Sequence, residues 1–361
     1  MSDSMIDWSL AVSTAQHMLP NGPPIEADDA QALINSLYAA AAEAEKHIGQ
    51  ITQLNPIAPL AKIAVVDRRK WAQSNVEGFR AAITPLVDSL LEKRGSESAG
   101  PRATTGLVGA IGSRATGFQV GTLLAYIGTK VLGQHELFTP EGTAPRLLLV
   151  APNIVTAERN LGLDPWSFRL WVCLHEQTHR VQLATVPWLE PLIRADLQEF
   201  FEAADVDVAT VRERLGTAVS AAGASVRGES GRSLLEAVQT PEQRQILDRL
   251  VALMSLLEGH ADWAMDEVSE DVIPDIAQVR ATFEKRRSGV GALDQVLRRL
   301  FGLDQKLAQY RDGAAFVRGV IDKVGLEGFN QVWTSPDTLP LRAEIDQPAL
   351  WVERVHGSGG V

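Results

Sequence analysis

One string constrains this chain more than any other: His175-Glu176-Gln177-Thr178-His179. It follows Leu163-Asp164-Pro165-Trp166, where Asp164 can cap free helix amides and Pro165 suits a first helical position. From there Phe168, Trp171 and Val172 form an apolar stripe, which His175, Thr178 and His179 continue. The spacing predicts a helix whose inward face carries two imidazoles one turn apart. Any fold for this chain must give that pair a partner in the interior.

Two imidazoles at i and i+4 can both reach one tetrahedral Zn²⁺ at about 2.0–2.1 Å. Glu176 stands roughly 60° around the helix from His179, close enough to touch a water on such an ion without ligating it. That zinc-held water, with its pKa lowered to about 7, would pass a proton to Glu176 and become a nucleophile. The competing explanation is two core histidines bonded to backbone carbonyls. A glutamate between two histidines on one buried stripe tells against it.

Catalytic zinc usually takes three protein ligands and leaves one position open. A third histidine six residues past His179 is absent, because that position is Thr185. The segment from Gln245 to Val268 is strongly helical in its periodicity, with the stripe Val251, Met254, Glu258, Ala261, Asp262, Met265. Carboxylates on an apolar face need a metal, a cation or hydrogen-bond donors. Glu258 is therefore the expected third metal ligand, and Asp262 is expected to accept the outer N–H of a ligand histidine. Gly259 would remove a side chain where this helix meets the histidine helix. A salt bridge to Arg or Lys from another segment is the alternative use of these acids. His260 is a rival ligand that points roughly 160° away from Asp262, so a substrate contact or a structural role suits it better. Tyr310 could donate to a tetrahedral oxyanion, though a packed tyrosine is the plainer reading. His17, His47, His135 and His356 lack partner spacing and read as surface or core residues, and Cys173 as a buried inert thiol.

Around these segments the chain reads mainly as helix: Asp28 to Ile51, Arg68 to Lys93, a glycine-studded Thr105 to Leu132, and then from Pro165 almost to the end with breaks near Pro187, Pro274 and Gly302. Two runs read as strands, Ile63 to Val66 and Arg146 to Ala151. Gly95 to Thr105, Gly223 to Ser233 and the tail 356–361 are rich in small polar residues, which suits loops and a disordered end. The fold class expected is α+β, predominantly helical, with a small sheet. It is expected to be one unit over 1–361, with a helical part at 1–135 and a metal-site part at 136–355.

The 361 residues, 45% hydrophobic and 22% charged, suit a soluble globular protein with a large core. A net charge of −11 argues against a nucleic-acid partner. One cysteine excludes an internal disulfide and a thiolate zinc knuckle. Met1 to Leu10 lacks the basic and apolar regions of a signal peptide, and the uncharged Ala115 to Thr129 is shorter than the ~20 residues that span a bilayer. No membrane association and a cytoplasmic location are expected.

Trp171-Val-Cys-Leu-His-Glu-Gln-Thr-His179 together with Leu256-Leu-Glu-Gly-His-Ala-Asp262 resembles a zincin-like hydrolase family found largely in actinobacteria, some members of which are associated with biosynthesis of a deazaflavin coenzyme. Val66-Asp-Arg-Arg-Lys-Trp71 with Asn75, Lys306 to Tyr310 with Gly313 and Phe316, and Leu339-Pro340 with Glu344-Ile345 extend the likeness from about Asp7 to Trp351. The resemblance implies a zincin-like core with added N- and C-terminal helices, in which Arg146 to Ala151 runs beside a substrate cleft. It also implies a glutamate-ligand metallopeptidase site. The function expected is a zinc-dependent hydrolase of a peptide or small amide bond, using Glu176 as base. The alternative is a non-catalytic zincin-like binding or structural protein.

Overall fold

A continuous apolar run, Leu147-Leu-Leu-Val150, is what a strand buried on both faces requires, and it forms the centre of the only sheet among the described residues. The structure, a computed structural model, describes residues 6–97, 107–202, 241–287 and 313–357. Strand β3 (Arg146–Val150) pairs in parallel with β1 (Lys62–Val66), Ile63 opposite Leu147, and antiparallel with a short edge strand β2 (Gly133–His135), Gly133 opposite Leu149. The order is therefore β1-β3-β2. The expectation that Arg146 to Ala151 lines the cleft is corrected. Both of its edges are paired, Leu147 to Val150 are fully buried, and Ala151 already begins a helix. The strand that faces the histidine helix is β2.

Helices make up most of the rest: α1 (Trp8–Met18), α2 (Ala27–Thr52), α3 (Arg68–Glu97), α4 (Leu107–Gly128), α5 (Ala151–Leu161), α6 (Pro165–Thr185), α7 (Leu189–Glu202), α8 (Pro241–Asp266), α9 (Ile276–Arg287), α10 (Gly313–Phe329), α11 (Arg342–Asp346) and α12 (Pro348–His356). The fold class is α+β and predominantly helical, as the periodicities predict. No helix among the described residues is long and apolar enough to cross a membrane. The loop at Gly223 to Ser233, the break near Gly302 and Tyr310 lie outside the described residues. His356 departs from the disordered tail expected of it: it ends α12, its ring meets Trp351, and its Nε2 lies 3.2 Å from the carbonyl oxygen of Gly328.

One hydrophobic cluster joins α2, α6, α8, α10 and α12, from Leu33 and Ala44 through Phe168 and Leu256 to Phe316 and Trp351. A second packs α1 and α4 onto the sheet around Trp71 and Leu124. The alanine-rich face of α2, with Ala40, Ala41 and Ala44 buried, lets α6 lie close. Gln177 donates from Nε2 to the Ala41 carbonyl, and Arg180 reaches Glu45 and the Ala61 carbonyl.

Gly259 serves a different contact from the one expected. It faces Gly313 of α10, where a Cβ would stand 2.5 Å from the Gly313 Cα. Backbone meets backbone there, with no side chain able to give way. Gly259→Ala is expected to destabilise the protein by about 3 kcal/mol. The shift would be read as a lower denaturation midpoint at unchanged slope. A midpoint equal to wild type would show that the two helices separate freely.

Candidate functional site

Helix α6 begins as its sequence dictates: the Asp164 carboxylate accepts from the Ser167 amide at 2.8 Å, and Pro165 takes the first turn. Its interior is buried on most sides. His175 and His179 project from it with ring centroids 4.8 Å apart and their Nε2 atoms 3.2 Å apart. Across from them α8 places the Glu258 carboxylate, 3.7 Å from His175 Nε2 and 3.5 Å from His179 Nε2. The ligand atoms of these three residues all lie within 4.8 Å of one another.

A tetrahedral ion bound at about 2.0–2.1 Å separates its ligand atoms by roughly 3.3–3.4 Å. The two imidazole nitrogens, 3.2 Å apart, come near that value, and Glu258 turns a different oxygen to each of them, Oε2 at 3.7 Å from His175 and Oε1 at 3.5 Å from His179. The donor set of two imidazoles and a carboxylate suits zinc. The three sequence-predicted ligand candidates are therefore brought together, with donor types that suit the ion.

The reason for Glu258 differs from the one expected. Its side chain is 44% exposed, so it is not a carboxylate buried on an apolar stripe. Helix α8 is buried on most other sides, through Ile246, Leu253, Leu256, Leu257, His260 and Ala264. Glu258 and Asp262 lie on its partly exposed side. Charge around the histidines favours a cation. Burial works against protonation of His179, yet Glu258, Glu176, the hydrogen bond to Gln182 and Asp262 together raise its pKa.

Glu176 occupies the same helix on the side of β2. It is buried, and burial, aided by Glu258 and opposed by His179, pushes its carboxyl up to about 7. Space for it exists only because β2 offers a glycine: a Cβ on Gly133 would stand 2.5 Å from Glu176 Cγ and 2.6 Å from Oε1. The next residue on β2, Gln134, points the other way. It accepts from Trp71 Nε1 at 2.7 Å and donates to Asn75 Oδ1 at 2.8 Å. Helix α3 thus pins β2 so that Gly133 and His135 face α6. Past His135 a cavity of about 390 Å³ opens between β2, the loop 139–145 and the C-terminal half of α6, with Arg180, Leu183 and Arg194 in its wall. The ligand candidates do not line it. His135 lines that cavity and is near enough to His179 to feel its charge, a position its sequence context did not indicate.

Two further residues depart from expectation. His179 Nδ1 lies 2.9 Å from Gln182 Oε1, so for this histidine the outer partner is Gln182 and not Asp262. Asp262, partly exposed, still lies near enough to help raise the pKa of His179. His260 is fully buried, its Nδ1 2.9 Å from Gln182 Nε2 and its ring among Trp263, Phe329 and Trp333. It faces the core. Gln182 is the site residue that sequence reasoning missed, although a polar side chain one turn past His179 on the buried stripe was a usable signal.

A family model for zincin-like metallopeptidases matches residues 6–352. Among solved structures the chain is similar to the crystal structure of "a putative hydrolase with a novel fold" from Chloroflexus aurantiacus, with 28% identity, a TM-score of 0.71, and coverage of 98% of this chain and 100% of that one. No curated protein matches. With two histidines and a glutamate gathered beside a buried HExxH acid, and a family match over almost its whole length, the chain belongs to the zincin-like metallopeptidases.

Proposed function

We propose that this chain is a zinc-dependent hydrolase that cleaves a peptide or small amide bond, with Glu176 as its proton-transfer residue. The observation that carries the reading is the meeting of His175 Nε2, His179 Nε2 and the Glu258 carboxylate beside a buried carboxyl held near neutrality. His175, His179 and Glu258 would hold the ion. When bound, zinc supplies a Lewis acid that polarises a carbonyl and makes water more acidic.

The remaining chemistry belongs to the chain's own groups. Glu176 takes the proton of the attacking water on its carboxylate and hands it to the departing amine nitrogen. A carboxyl near pH 7 suits both halves of that task. Gly133 keeps room for the Glu176 side chain, and β2 covers it on that side. The cavity lined by His135 and Arg180 offers a space for a substrate side chain.

Metal analysis is the decisive test, because it requires no choice of substrate. Purified protein is expected to carry about one zinc per chain, and His175→Ala to lose it with little change in fold. Wild-type protein that takes up no zinc from a zinc-buffered solution would remove the reading. Protein that holds zinc but cleaves no amide across a broad peptide library would be a binding protein instead.

A further inference from the structure

Gln182 lies one turn beyond His179 on α6, fully buried. Its amide makes three contacts, and they are not interchangeable. Nε2 donates to the Leu257 carbonyl oxygen at 3.1 Å. A carbonyl can only accept, so the amide cannot be turned over without setting two oxygens against each other. The same Nε2 lies 2.9 Å from His260 Nδ1. With the amino group committed on that side, Oε1 is left facing His179 Nδ1 at 2.9 Å. An amide oxygen accepts, so Nδ1 of His179 must carry the proton. Its Nε2 then presents a lone pair to the point shared with His175 and Glu258.

His260 serves as the rear anchor. Receiving an N–H at Nδ1 requires its ring to be neutral with the proton on Nε2, the atom that has no hydrogen-bond partner among the described residues. Trp263 stacks on it at 5.5 Å between centroids, with Phe329 at 5.4 Å and Trp333 at 5.3 Å. Burial among these rings disfavours its charged form, which keeps Nδ1 an acceptor. The amide is therefore oriented by one backbone carbonyl and one caged imidazole, both belonging to α8, the helix that also carries Glu258.

We infer that Gln182 is a positioning residue, whose amide, oriented by Leu257 and His260, locks His179 into the tautomer able to ligate a metal. The inference rests on the zinc reading for its purpose, but the lock itself is a property of the metal-free chain. It also joins α6 to α8 directly behind the ligands, so the contact that sets the histidine's proton also sets its distance from Glu258.

The test uses full-length protein labelled with ¹⁵N-histidine. In metal-free wild type, the ring-nitrogen shifts of His179 are expected to report a proton on Nδ1. In Gln182→Leu the proton should move wholly or partly to Nε2, and zinc affinity, measured by chelator competition, should fall about 10–100-fold. A wild-type His179 protonated at Nε2 would overturn the inference, and so would unchanged zinc affinity in a folded Gln182→Leu protein. If that variant fails to fold, the wild-type tautomer alone decides. Wild type that binds no zinc yet keeps the Nδ1 proton would defeat the zinc reading and uphold the lock.

Discussion

In Glu176→Gln protein, hydrolysis of an amide substrate is expected to fall by about 10²–10⁴-fold while zinc content stays at the wild-type level. Glu176 is absent from the group of three that converges on the ligand point, so the substitution leaves the donors in place. The amide matches the carboxyl in shape and fits the space left by Gly133, but it cannot take up and return a proton. Turnover on a cleavable peptide, set beside metal content, separates the two effects. Variant protein that keeps both its zinc and its turnover would remove Glu176 from the chemistry.

The same substitution carries a stability signature that needs no substrate. Folding raises the Glu176 carboxyl from its ordinary 4.5 to about 7, chiefly through burial. Stability gained by holding that proton is fully present below pH 4.5 and is lost as pH rises through about 7. A shift of that size corresponds to about 3 kcal/mol. Metal-free Glu176→Gln should therefore outlast metal-free wild type in urea at pH 8 and converge with it near pH 4.5. A carboxyl kept for stability would give the opposite order.

The legible parts of this fold were those whose causes are local. Asp164, Pro165 and the apolar stripe specify α6, and the four-residue spacing alone puts His175 and His179 on one side of it. Leu147 to Val150 announces a buried strand, but whether it is central or edge depends on what pairs with it, and the neighbour was invisible. Strand β2 is three residues long, Gly133-Gln134-His135, without a β-branched side chain among them. It exists because β3 offers a ladder and because Trp71 and Asn75 grip Gln134. In the sequence those two residues stand out only through resemblance, and in the fold they hold β2 with Gly133 against Glu176. In the sequence Glu258 stands out as an acid on an apolar face. In the structure it is the open side of a helix buried almost everywhere else, and periodicity alone cannot tell those cases apart. Gln182 escaped because both anchors of its amide, Leu257 and His260, come from a helix remote in sequence.

Between pH 6.5 and 4, metal-free Glu176→Gln protein is expected to lose stability as the pH falls, and His260 alone accounts for about 3 kcal/mol of the loss. Burial, aided by the nearby His179, depresses its pKa from 6.5 to about 3. The unfolded chain therefore takes up a proton that the folded chain refuses, and stability rises with pH through this window. His135, pushed down to about 4 by burial, His179 and Arg180 against the pull of Glu136, acts in the same direction. Its shift is the smaller of the two, which makes it the smaller contributor. In wild type the slope is masked, because the Glu176 carboxyl gains stability from its proton over nearly the same interval and opposes it. Removing that carboxyl uncovers the histidines. Adding His260→Asn, whose amide oxygen can still accept from Gln182 but cannot titrate, should then flatten most of the slope. Urea midpoints at half-unit steps from pH 4 to 7.5 would show it. An equally steep slope in the double variant would place the acid sensitivity in His135 or elsewhere, and would mean that the cage of Trp263, Phe329 and Trp333 does not hold His260 neutral.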